Sequence, residues 1–525
     1  MTNDAEVDVQ LGDWFLLAKE RGNPTTSLDS RHPDGAAWTT GNLVRPLVHG
    51  AAYFTELLAA IRRMEAGDLL MFTDWRGDPD ERLDGPGTEV GRVICAAVRR
   101  GVVVKGLIWR SHLDKLQFSA AENRHLGEEI EAAGGECLLD MRVRTGGSHH
   151  QKFVVLRHPG RPELDVAYVG GIDLCHSRRD DADHRGDPQP VTMAADYGPH
   201  PPWHDIQVEL RGPAVADVET VFRERWEDPA PLTRNPLRRL RDRLTGEDTT
   251  PGPLPRRLPD PPTCGDHAVQ LLRTYPRRRK GYAFAPEGER SIAHGYRKVL
   301  ARASRLVYLE DQYLWSEEIV ATFAEALANR PELRLIAVVP SFSDQESRIS
   351  KTAETYGRIE ALRSLRNAGG DRVAVYWLEN HESTPVYVHA KAIVVDDVWA
   401  MVGSDNVNMR SWTFDSELSC AVLDESGAYA RDLRLTLARE HLDRGDGDDT
   451  DLRDPVAFFD AFTTSASKLD DWHAEGRIGP RPPGRLRTYH PTVLKKATRL
   501  WVAPMYRLLV DPDGRPAALR RAREF

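Results

Sequence analysis

The chain repeats one order of segments twice, and this repeat constrains its fold more than any other feature. The first copy places short apolar runs at 68–75, 102–110, 136–142, 152–156, 166–171 and 206–212. The second copy places equivalent runs at 305–312, 333–340, 373–379, 390–396, 399–404 and 417–424. Such runs, rich in β-branched residues, are typical of buried strands. A period of about 200 residues is too long for a solenoid. It predicts a duplicated α/β unit with a pseudo-twofold relation.

The predicted fold class is therefore α/β, with two tandem repeats that each form a mixed sheet flanked by helices. Helical stretches are predicted near 88–100, 120–133 and 353–368. The functional site is expected at the pseudo-twofold interface. The predicted units are an N-terminal extension (1–42), a first repeat (43–228), a linker (229–264), a second repeat (265–443) and an acidic loop with a basic C-terminal extension (444–525).

Composition separates the linker and the C-terminal region from the repeats. Pro229–Pro262 is rich in proline and arginine without hydrophobic periodicity, which predicts a linker or extended loop. Asp443–Asp454 is acidic, but the glutamate that a calcium-binding EF-hand loop needs is replaced by Ala457, so a solvated loop is predicted. The segment Arg485–Phe525 is basic and carries apolar residues around Trp501. It fits an interfacial amphipathic segment or a C-terminal helix packed on the core.

Overall composition excludes several functional classes. The net charge of −9 is opposite to that of a protein that wraps duplex DNA. The five cysteines include no CxxC pair, which argues against a zinc ribbon or a disulfide scaffold. The sequence shows no secretory signal pattern and no run of about 18 apolar residues. We therefore expect a cytoplasmic protein with reduced thiols.

Each repeat contains one His-x-Lys tripeptide at the start of an apolar strand. These are His150–Gln151–Lys152 and His389–Ala390–Lys391, and they hold equivalent places in the two copies. Residues i and i+2 of a strand point to the same face, so each imidazole projects together with an ammonium group. If the repeats face each other, two histidines and two lysines converge, and this set fits a phosphate anion.

Small and polar residues follow each motif at the end of the next strand. Gly171 and Ser404 allow a ligand to approach the backbone, and Asp173 and Asn406 add polar groups at the same edge. Two readings remain open beside the phosphate site. A histidine at a strand start is often only structural, and a metal site would draw on histidines near the first motif. Those candidate metal ligands are His149, His150, His200 and His204, which form no recognised metal-binding spacing.

These segments resemble the phospholipase D superfamily, whose motif is HxKxxxxD followed by a GG or GS turn. The second copy fits the motif fully, with His389, Lys391, Asp396, Gly403, Ser404 and Asn406. Its extension VGSDNVNMRSWTFDSE is similar to eukaryotic-type phospholipases D, as are SHHQKFVVL, PWHDIQVELRGPAV and YLEDQY. The resemblance covers about Leu43–Asp443.

The first copy departs from the motif at one position. Arg157 stands where the pattern has aspartate, and an inserted turn leads to Asp165, the candidate to take over part of that role. In the family this aspartate mostly supports the site and does not attack phosphorus. We therefore expect activity to survive.

The resemblance implies phosphodiester cleavage through a covalent phosphohistidine. It assigns His150 as nucleophile and His389 as general acid and base, although the near symmetry of the sequence does not establish that order. Asp205 and Glu417 hold matching places at the following strands and are the candidates to orient the two imidazoles. The remaining predicted roles are charge stabilisation by Lys152 and Lys391, support by Asp396, and phosphate binding by Asn406, Ser404, Gly171 and Asp173. Arg178 and Asp180 are weaker candidates, and the chemistry requires neither a metal nor another cofactor.

The motif similarity points to glycerophospholipids as substrates. The implied reaction hydrolyses the lipid, or transfers its phosphatidyl group, and releases the head-group alcohol. The expected partners are phospholipid at a membrane surface and a water or alcohol acceptor, and nucleic acid is disfavoured. One chain carries both motifs, so a monomer suffices, located in the cytoplasm or peripherally at the inner membrane face. A nuclease, a soluble-phosphodiester hydrolase and a catalytically impaired lipid-binding member remain as alternatives.

Overall fold

The structure is a computed structural model that describes residues 10–111, 120–233, 235–245, 249–343, 348–424, 426–445 and 447–525. Most of these residues belong to two α/β halves with the same strand order. In the first half the sheet runs through Thr39–Val48, Ile206–Arg211, Val166–Gly170, Phe153–Arg157, Leu69–Asp74, Val103–Trp109 and Glu136–Asp140. The last three strands pair in parallel and the others antiparallel, so the sheet is mixed as predicted.

The second half repeats this order. Its sheet runs through His267–Tyr275, Glu417–Asp424, Trp399–Gly403, Lys391–Val395, Leu306–Asp311, Arg334–Val338 and Val373–Glu379. Leu486–Thr488 and Pro385–Val388 add to the last strand, and Pro385–Val388 also pairs with Trp203–His204 of the first half. The structure therefore confirms the duplicated α/β unit.

Helices cover both faces of each sheet because alternate strand residues point to opposite sides. In the first half one face packs on Gly50–Arg62, Val90–Arg99 and Ala120–Ala132, and the other packs on Ala214–Trp226. In the second half the equivalent outer helices are Ser291–Arg302, Glu317–Asn329 and Arg348–Gly369. The inner helices are Ala428–His441 and Pro455–Ala474.

The two halves share one continuous core. Thr39–Val48 joins both sheets, because it pairs with Ile206–Arg211 on one side and with His267–Tyr275 on the other. Side chains from Ala214–Trp226 pack in the same buried cluster as Leu418, Cys420 and other residues of the second half. This packing holds the motif ends of the two sheets against each other.

The linker prediction needs a correction. The segment contains the helix Pro236–Thr245, and Asp242 on this helix is buried beside Arg110, 2.7 Å from its Nη1. Leu237, Leu240 and Leu244 recur at helical spacing, a signal that the surrounding arginines and prolines masked. The predicted unit boundaries themselves stay a prediction.

The acidic segment is also more structured than predicted. Asp449 is buried and accepts a hydrogen bond of 3.0 Å from Arg439 Nε. Thr450–Arg453 forms a 3-10 helix that buries Leu452. Paired carboxylates and one apolar anchor therefore hold part of this segment against the core.

The C-terminal region forms a helix packed on the core, one of the two predicted forms, and its interfacial role stays a prediction. The helix Lys496–Met505 continues into a π-helical turn, Tyr506–Val510, and buries Val502 and Tyr506 against Trp315. Its other side leaves large apolar residues exposed, namely Leu500, Trp501, Leu508 and Leu509. Among the described residues, no helix is long and apolar enough to cross a bilayer.

Candidate active site

The two His-x-Lys motifs lie at the starts of the equivalent strands Phe153–Arg157 and Lys391–Val395. Each strand pairs antiparallel with the next one along the chain, so its start lies beside the end of that neighbour. The neighbours end at Gly170 and Gly403, which brings the following turns to the same edge. The site thus assembles from strand starts and turns that face the other half.

Each imidazole is oriented by a carboxylate from the opposite half of the molecule. Nδ1 of His150 lies 2.9 Å from Oε2 of Glu417. Nδ1 of His389 lies 2.6 Å from Oδ2 of Asp205. A carboxylate in this position fixes the tautomer and leaves Nε2 as the reactive nitrogen. The structure therefore brings all four predicted residues together, in crosswise pairs.

The two lysines repeat one arrangement. Nζ of Lys152 donates to the carbonyl oxygen of His150 at 2.8 Å, and Nζ of Lys391 donates to that of His389. Lys152 also lies 3.6 Å from Oδ1 of Asp173. Both lysines are buried, and their charge acts on both imidazoles. Together they form a cationic field suited to an anionic substrate.

The turn residues Ser404 and Gly171 contact the two carboxylates that orient the histidines. Oγ of Ser404 donates to Oε2 of Glu417 at 2.5 Å. A Cβ at Gly171 would lie 2.2 Å from Oδ1 of Asp205, so only glycine leaves room for that carboxylate. Both residues thus contact the carboxylates that orient the histidines, and their role in phosphate binding stays a prediction.

Asp173 and Asn406 both line the cavity but differ in what they can bind. Oδ1 of Asp173 accepts from the backbone N–H groups of Trp75 and Arg76, each at 3.3 Å. A carboxylate engaged in this way beside Lys152 holds the lysine and does not bind an anion, which corrects its predicted role. Asn406 is buried at the cavity wall, and its Oδ1 has no hydrogen-bond partner among the described residues. The Nδ2 group of Asn406, and not this oxygen, is the donor that could bind an anionic ligand.

Burial sets the protonation of the site. It lowers the pKa of His150 well below the ordinary value, and the charges of Lys152 and Lys391 lower it further. Burial and Lys391 have the same effect on the pKa of His389. Burial raises the pKa of Glu417 to about 7 and lowers that of Lys391 to about 8. Without an anion the imidazoles are therefore neutral, and a neutral Nε2 is a competent nucleophile.

Both histidines open into one cavity of about 560 Å³. Part of its wall is aromatic or aliphatic, with Trp75, Trp109, Met193, Trp203, Tyr313, Trp315, Tyr387, Leu509 and Val510. The rest of the lining is largely polar or charged and includes Arg76, Glu354, Arg410 and Asp415. Arg178 also lines it, stacked 4.0 Å from the ring centre of Trp203. Asp180 instead accepts the backbone N–H of Trp203 at 2.7 Å and serves the loop structure.

Asp396 lies away from the site, contrary to its predicted inclusion among the catalytic residues. It follows the far end of Lys391–Val395, five residues beyond Lys391, or about 16 Å along an extended chain. Its carboxylate accepts from the backbone N–H groups of Ser304, Arg305 and Leu306 at 2.7–2.8 Å. Asp396 therefore fixes the start of the neighbouring strand.

Arg157 occupies the equivalent place in the first half. Its guanidinium is buried, lies 2.8 Å from Oδ2 of Asp165 and also pairs with Glu219. Asp165 accepts from the backbone N–H of His158 at 2.6 Å. Asp165 thus supports the far end of the strand, as the sequence suggested, through a different set of contacts.

Sequence reasoning missed the aromatic rings beside the two imidazoles. The ring centre of Trp203 lies 4.9 Å from that of His389, and that of Trp75 lies 6.1 Å from that of His150. It also missed Gln312, whose Oε1 accepts from Nζ of Lys391 at 3.2 Å. Trp203 and Gln312 lie inside the segments PWHDIQVELRGPAV and YLEDQY. The family resemblance thus included both residues, but no role was assigned to them.

The structure does not bring the four candidate metal ligands of the sequence to one point. His149 faces Ser416, with Nδ1 2.6 Å from Oγ, and lies beside Asp140. Nδ1 of His200 lies 3.4 Å from the carbonyl oxygen of Asp187. These two imidazoles are therefore engaged elsewhere.

Comparison with known proteins agrees with this geometry. Residues 131–245 match the family described as "Phospholipase D", and residues 296–435 match "Cardiolipin synthase, PLD-like domain". Each match contains one His-x-Lys motif. The chain belongs to the phospholipase D superfamily.

Curated relatives in the superfamily align with most of the chain. Phospholipase D1 of Saccharomyces cerevisiae is 24% identical over 82% of this chain and 30% of its own length. Phospholipase D alpha 1 of Arabidopsis thaliana is 25% identical over 78% of this chain and 65% of its own length. The chain thus spans less than two thirds of these relatives.

A solved structure shares the architecture. The phosphatidylserine synthase of Haemophilus influenzae Rd KW20 superposes with a TM-score of 0.53 at 14% identity, covering 89% of this chain and 94% of that one. This likeness supports the fold of two tandem phospholipase D-like α/β units.

Proposed function

We propose that the protein is a phospholipase D-type phosphodiesterase that hydrolyses glycerophospholipids, or transfers their phosphatidyl group, through a phosphohistidine intermediate. The crosswise pairs His150–Glu417 and His389–Asp205 at one cavity carry this proposal. Each half supplies one reactive imidazole and the carboxylate that orients the other. Neither half alone would contain an oriented histidine.

In the first step, Nε2 of His150 attacks phosphorus and the P–O bond to the head group breaks. Nε2 of His389 gives its proton to the departing oxygen, which leaves as an alcohol. The negative phosphodiester offsets the charges of Lys152, Lys391 and Arg178, which lower the pKa of His389 in the free site. Substrate binding therefore favours the protonated His389 that this step requires.

In the second step, Nε2 of His389 takes a proton from water or an alcohol. The resulting oxygen nucleophile attacks phosphorus and the bond to Nε2 of His150 breaks. Water gives phosphatidic acid, and an alcohol gives a new phosphatidyl ester. His389 ends protonated and His150 neutral, so the site is ready for another turnover.

Lys152, Lys391 and Asn406 stabilise the charge on the phosphoryl oxygens. Their donors are held before the reaction begins, by the backbone carbonyls of the motif histidines and by the buried turn. Preorganised donors of this kind typically lower the barrier by about 2.7–4 kcal/mol each. This contribution requires no reorganisation during the reaction.

The cavity walls and the C-terminal segment favour a lipid over a soluble diester. Leu509 lines the cavity and is also 70% exposed, so the apolar surface continues from the site to the protein exterior. Leu500 and Leu508 line a neighbouring surface groove together with Lys496. Trp501 and Lys495 are exposed on the same segment. An apolar face bordered by cations suits the surface of a bilayer with anionic lipids.

Head-group release from mixed phospholipid vesicles in the presence of ethanol tests this function. The wild type is expected to produce phosphatidic acid and phosphatidylethanol, and His150→Ala neither. His125→Ala, which removes an exposed imidazole outside the cavity, serves as the matched control and should behave as wild type. Cleavage of plasmid DNA or a soluble diester without any lipid turnover would contradict the proposal.

A further inference from the structure

A second cluster of histidines lies buried where the two halves meet, and none of its members lines the active-site cavity. His49, His184, His204 and Glu440 each direct one donor atom to a common point, with all four atoms within 4.8 Å of one another. The three ring centres are 4.7–5.6 Å apart. We propose that these four residues bind one divalent transition-metal ion, with Zn²⁺ the best fit, as a structural site between the halves.

The distances from Glu440 to the three imidazoles are close to those of tetrahedral coordination. Zn–N and Zn–O bonds near 2.0–2.2 Å place neighbouring donor atoms of a tetrahedron about 3.3 Å apart. Oε2 of Glu440 lies 2.8 Å from Nε2 of His49. Oε1 of Glu440 lies 3.0 Å from Nε2 of His184 and 3.5 Å from Nδ1 of His204. Three imidazoles and one carboxylate are a donor set that suits zinc.

An unpartnered nitrogen points independently to a ligand. His204 is fully buried, and its Nδ1, the atom directed at Glu440, has no hydrogen-bond partner among the described residues. Without a metal, this nitrogen has only the 3.5 Å ion-pair contact with Oε1 of Glu440, an oxygen that Nε2 of His184 approaches more closely, to 3.0 Å. A metal ion at the centre would engage it.

The surroundings match those of metal-bound histidines, which usually donate their second N–H to a carboxylate. Nε2 of His204 lies 2.5 Å from Oε2 of Glu310. Nδ1 of His184 faces Oδ2 of Asp180 at 3.6 Å, an ion-pair contact beyond hydrogen-bond distance. Glu310 itself is occupied by His204 and, through Oε1, by His441 at 2.7 Å, so it acts as an outer partner and not as a ligand.

The position of the site explains what the metal would do. His49 precedes the helix Gly50–Arg62 of the first half, whereas Glu440 lies in Ala428–His441 of the second half. The carbonyl oxygen of His204 accepts from the backbone N–H of His389 at 2.8 Å, and Asp205 follows directly. The ion would therefore clamp the two halves beside the backbone that positions His389.

Metal content of the purified full chain, freed of any affinity tag and dialysed, tests the site. Atomic emission spectrometry is expected to find about one zinc ion per chain, and Glu440→Gln and His49→Gln are expected to lose it. His441→Gln, which removes a neighbouring imidazole outside the ligand set, should keep the ion. His381→Ala, which removes an exposed imidazole, should keep it as well.

A spectroscopic measurement on the wild type tests metal binding at this site even if a variant fails to fold. Chelator-treated protein given one equivalent of Co²⁺ should show the intense visible absorption of tetrahedral cobalt and a higher melting temperature. Purified wild type with less than about one tenth of a zinc ion per chain, and with neither cobalt absorption nor a thermal shift, would overturn the proposal. Zinc retained at full occupancy by both ligand variants would overturn it equally.

Discussion

The two halves carry the same histidine and lysine at one end of the motif strand and different residues at the other end. In the second half, Asp396 binds the backbone N–H groups of Ser304 and its two successors. In the first half, Arg157 is buried between Asp165 and Glu219. The matching ends form the cavity and the divergent ends lie far from it. The last residue of the motif therefore serves the fold of each half, and Arg157 does not indicate a degenerate site.

The ends of the two motif strands that carry histidine and lysine also differ, in the exposure of the histidine and in the contacts of its carboxylate. The side chain of His150 is 16% exposed and that of His389 is 7% exposed. Glu417 receives a hydrogen bond from Ser404, whereas Asp205 packs against Gly171. The greater access to His150 is consistent with its proposed role as the nucleophile, and the enclosure of His389 is consistent with proton transfer.

The largest expected effect comes from removing the histidines singly and together. His150→Ala and His389→Ala should each lower kcat by about 10⁴-fold or more, because the two imidazoles act in one reaction. The double variant should be no slower than the slower single variant, since residues that act as a unit are not additive. Turnover on vesicles measures all three. Multiplicative losses would show that the halves work independently.

Removal of a motif lysine should have the next largest effect and also shift the pH profile. Lys152→Met is expected to lower kcat by about 10²–10³-fold. A neutral His150 is required, so kcat/KM falls as the pH drops through the pKa of that imidazole, which lies well below 6.5 in the wild type. Without the ammonium charge this pKa rises, and the acidic limb should move to higher pH. Lys468→Met, at an exposed helix position, should leave the profile unchanged.

Substitutions at the divergent ends of the two motif strands should lower stability and leave turnover nearly unchanged. Arg157→Ala leaves two buried carboxylates without their partner and should cost about 3–5 kcal/mol of unfolding free energy. Asp396→Ala removes an acceptor for three backbone N–H groups and should cost about 1–2 kcal/mol, as for a lost helix cap. Denaturant titration and turnover of the same samples check both. A folded Asp396→Ala protein without turnover would show that Asp396 is required for catalysis.

The smallest effect is expected at the membrane surface. Lys495→Glu combined with Lys496→Glu should weaken binding to anionic vesicles by at least about tenfold, since each cation near such a surface contributes about 1 kcal/mol. Turnover of a short-chain soluble phospholipid should not change. The pair Lys19→Glu and Lys468→Glu, outside this segment, serves as the control in flotation assays. Unchanged vesicle binding by the first pair would remove the C-terminal segment from the proposed interface.

Local sequence patterns predicted the strands and the motif histidines well, because both depend on neighbouring residues. The strand Thr39–Val48 escaped prediction, since Gly41 and Pro46 interrupt its pattern and its partners lie far along the chain. The segment Pro236–Thr245 was assigned to a loop because its charged residues masked its leucine spacing. Short-range patterns thus fail where long-range pairing or composition dominates.

Contacts between the two halves were even harder to predict from local sequence patterns. Glu417 and Asp205 were predicted to orient the histidines, but nothing local indicated that each acts on the opposite half. Of the buried histidine cluster, only His204 was among the candidate metal ligands, because Glu440 lies hundreds of residues from His49 and no metal-binding spacing connects them. Only the paired strands and the shared core bring such residues together.

The most direct test is to identify the residue that carries the covalent intermediate. Wild-type protein mixed with a short-chain phospholipid, quenched within a turnover at alkaline pH, and digested should give one phosphatidyl-modified peptide. Fragmentation is expected to place the group on His150, and the His150→Ala protein is expected to carry no adduct. A wild-type adduct on His389, or continued turnover by the His150→Ala protein, would contradict the assignment of His150 as the nucleophile.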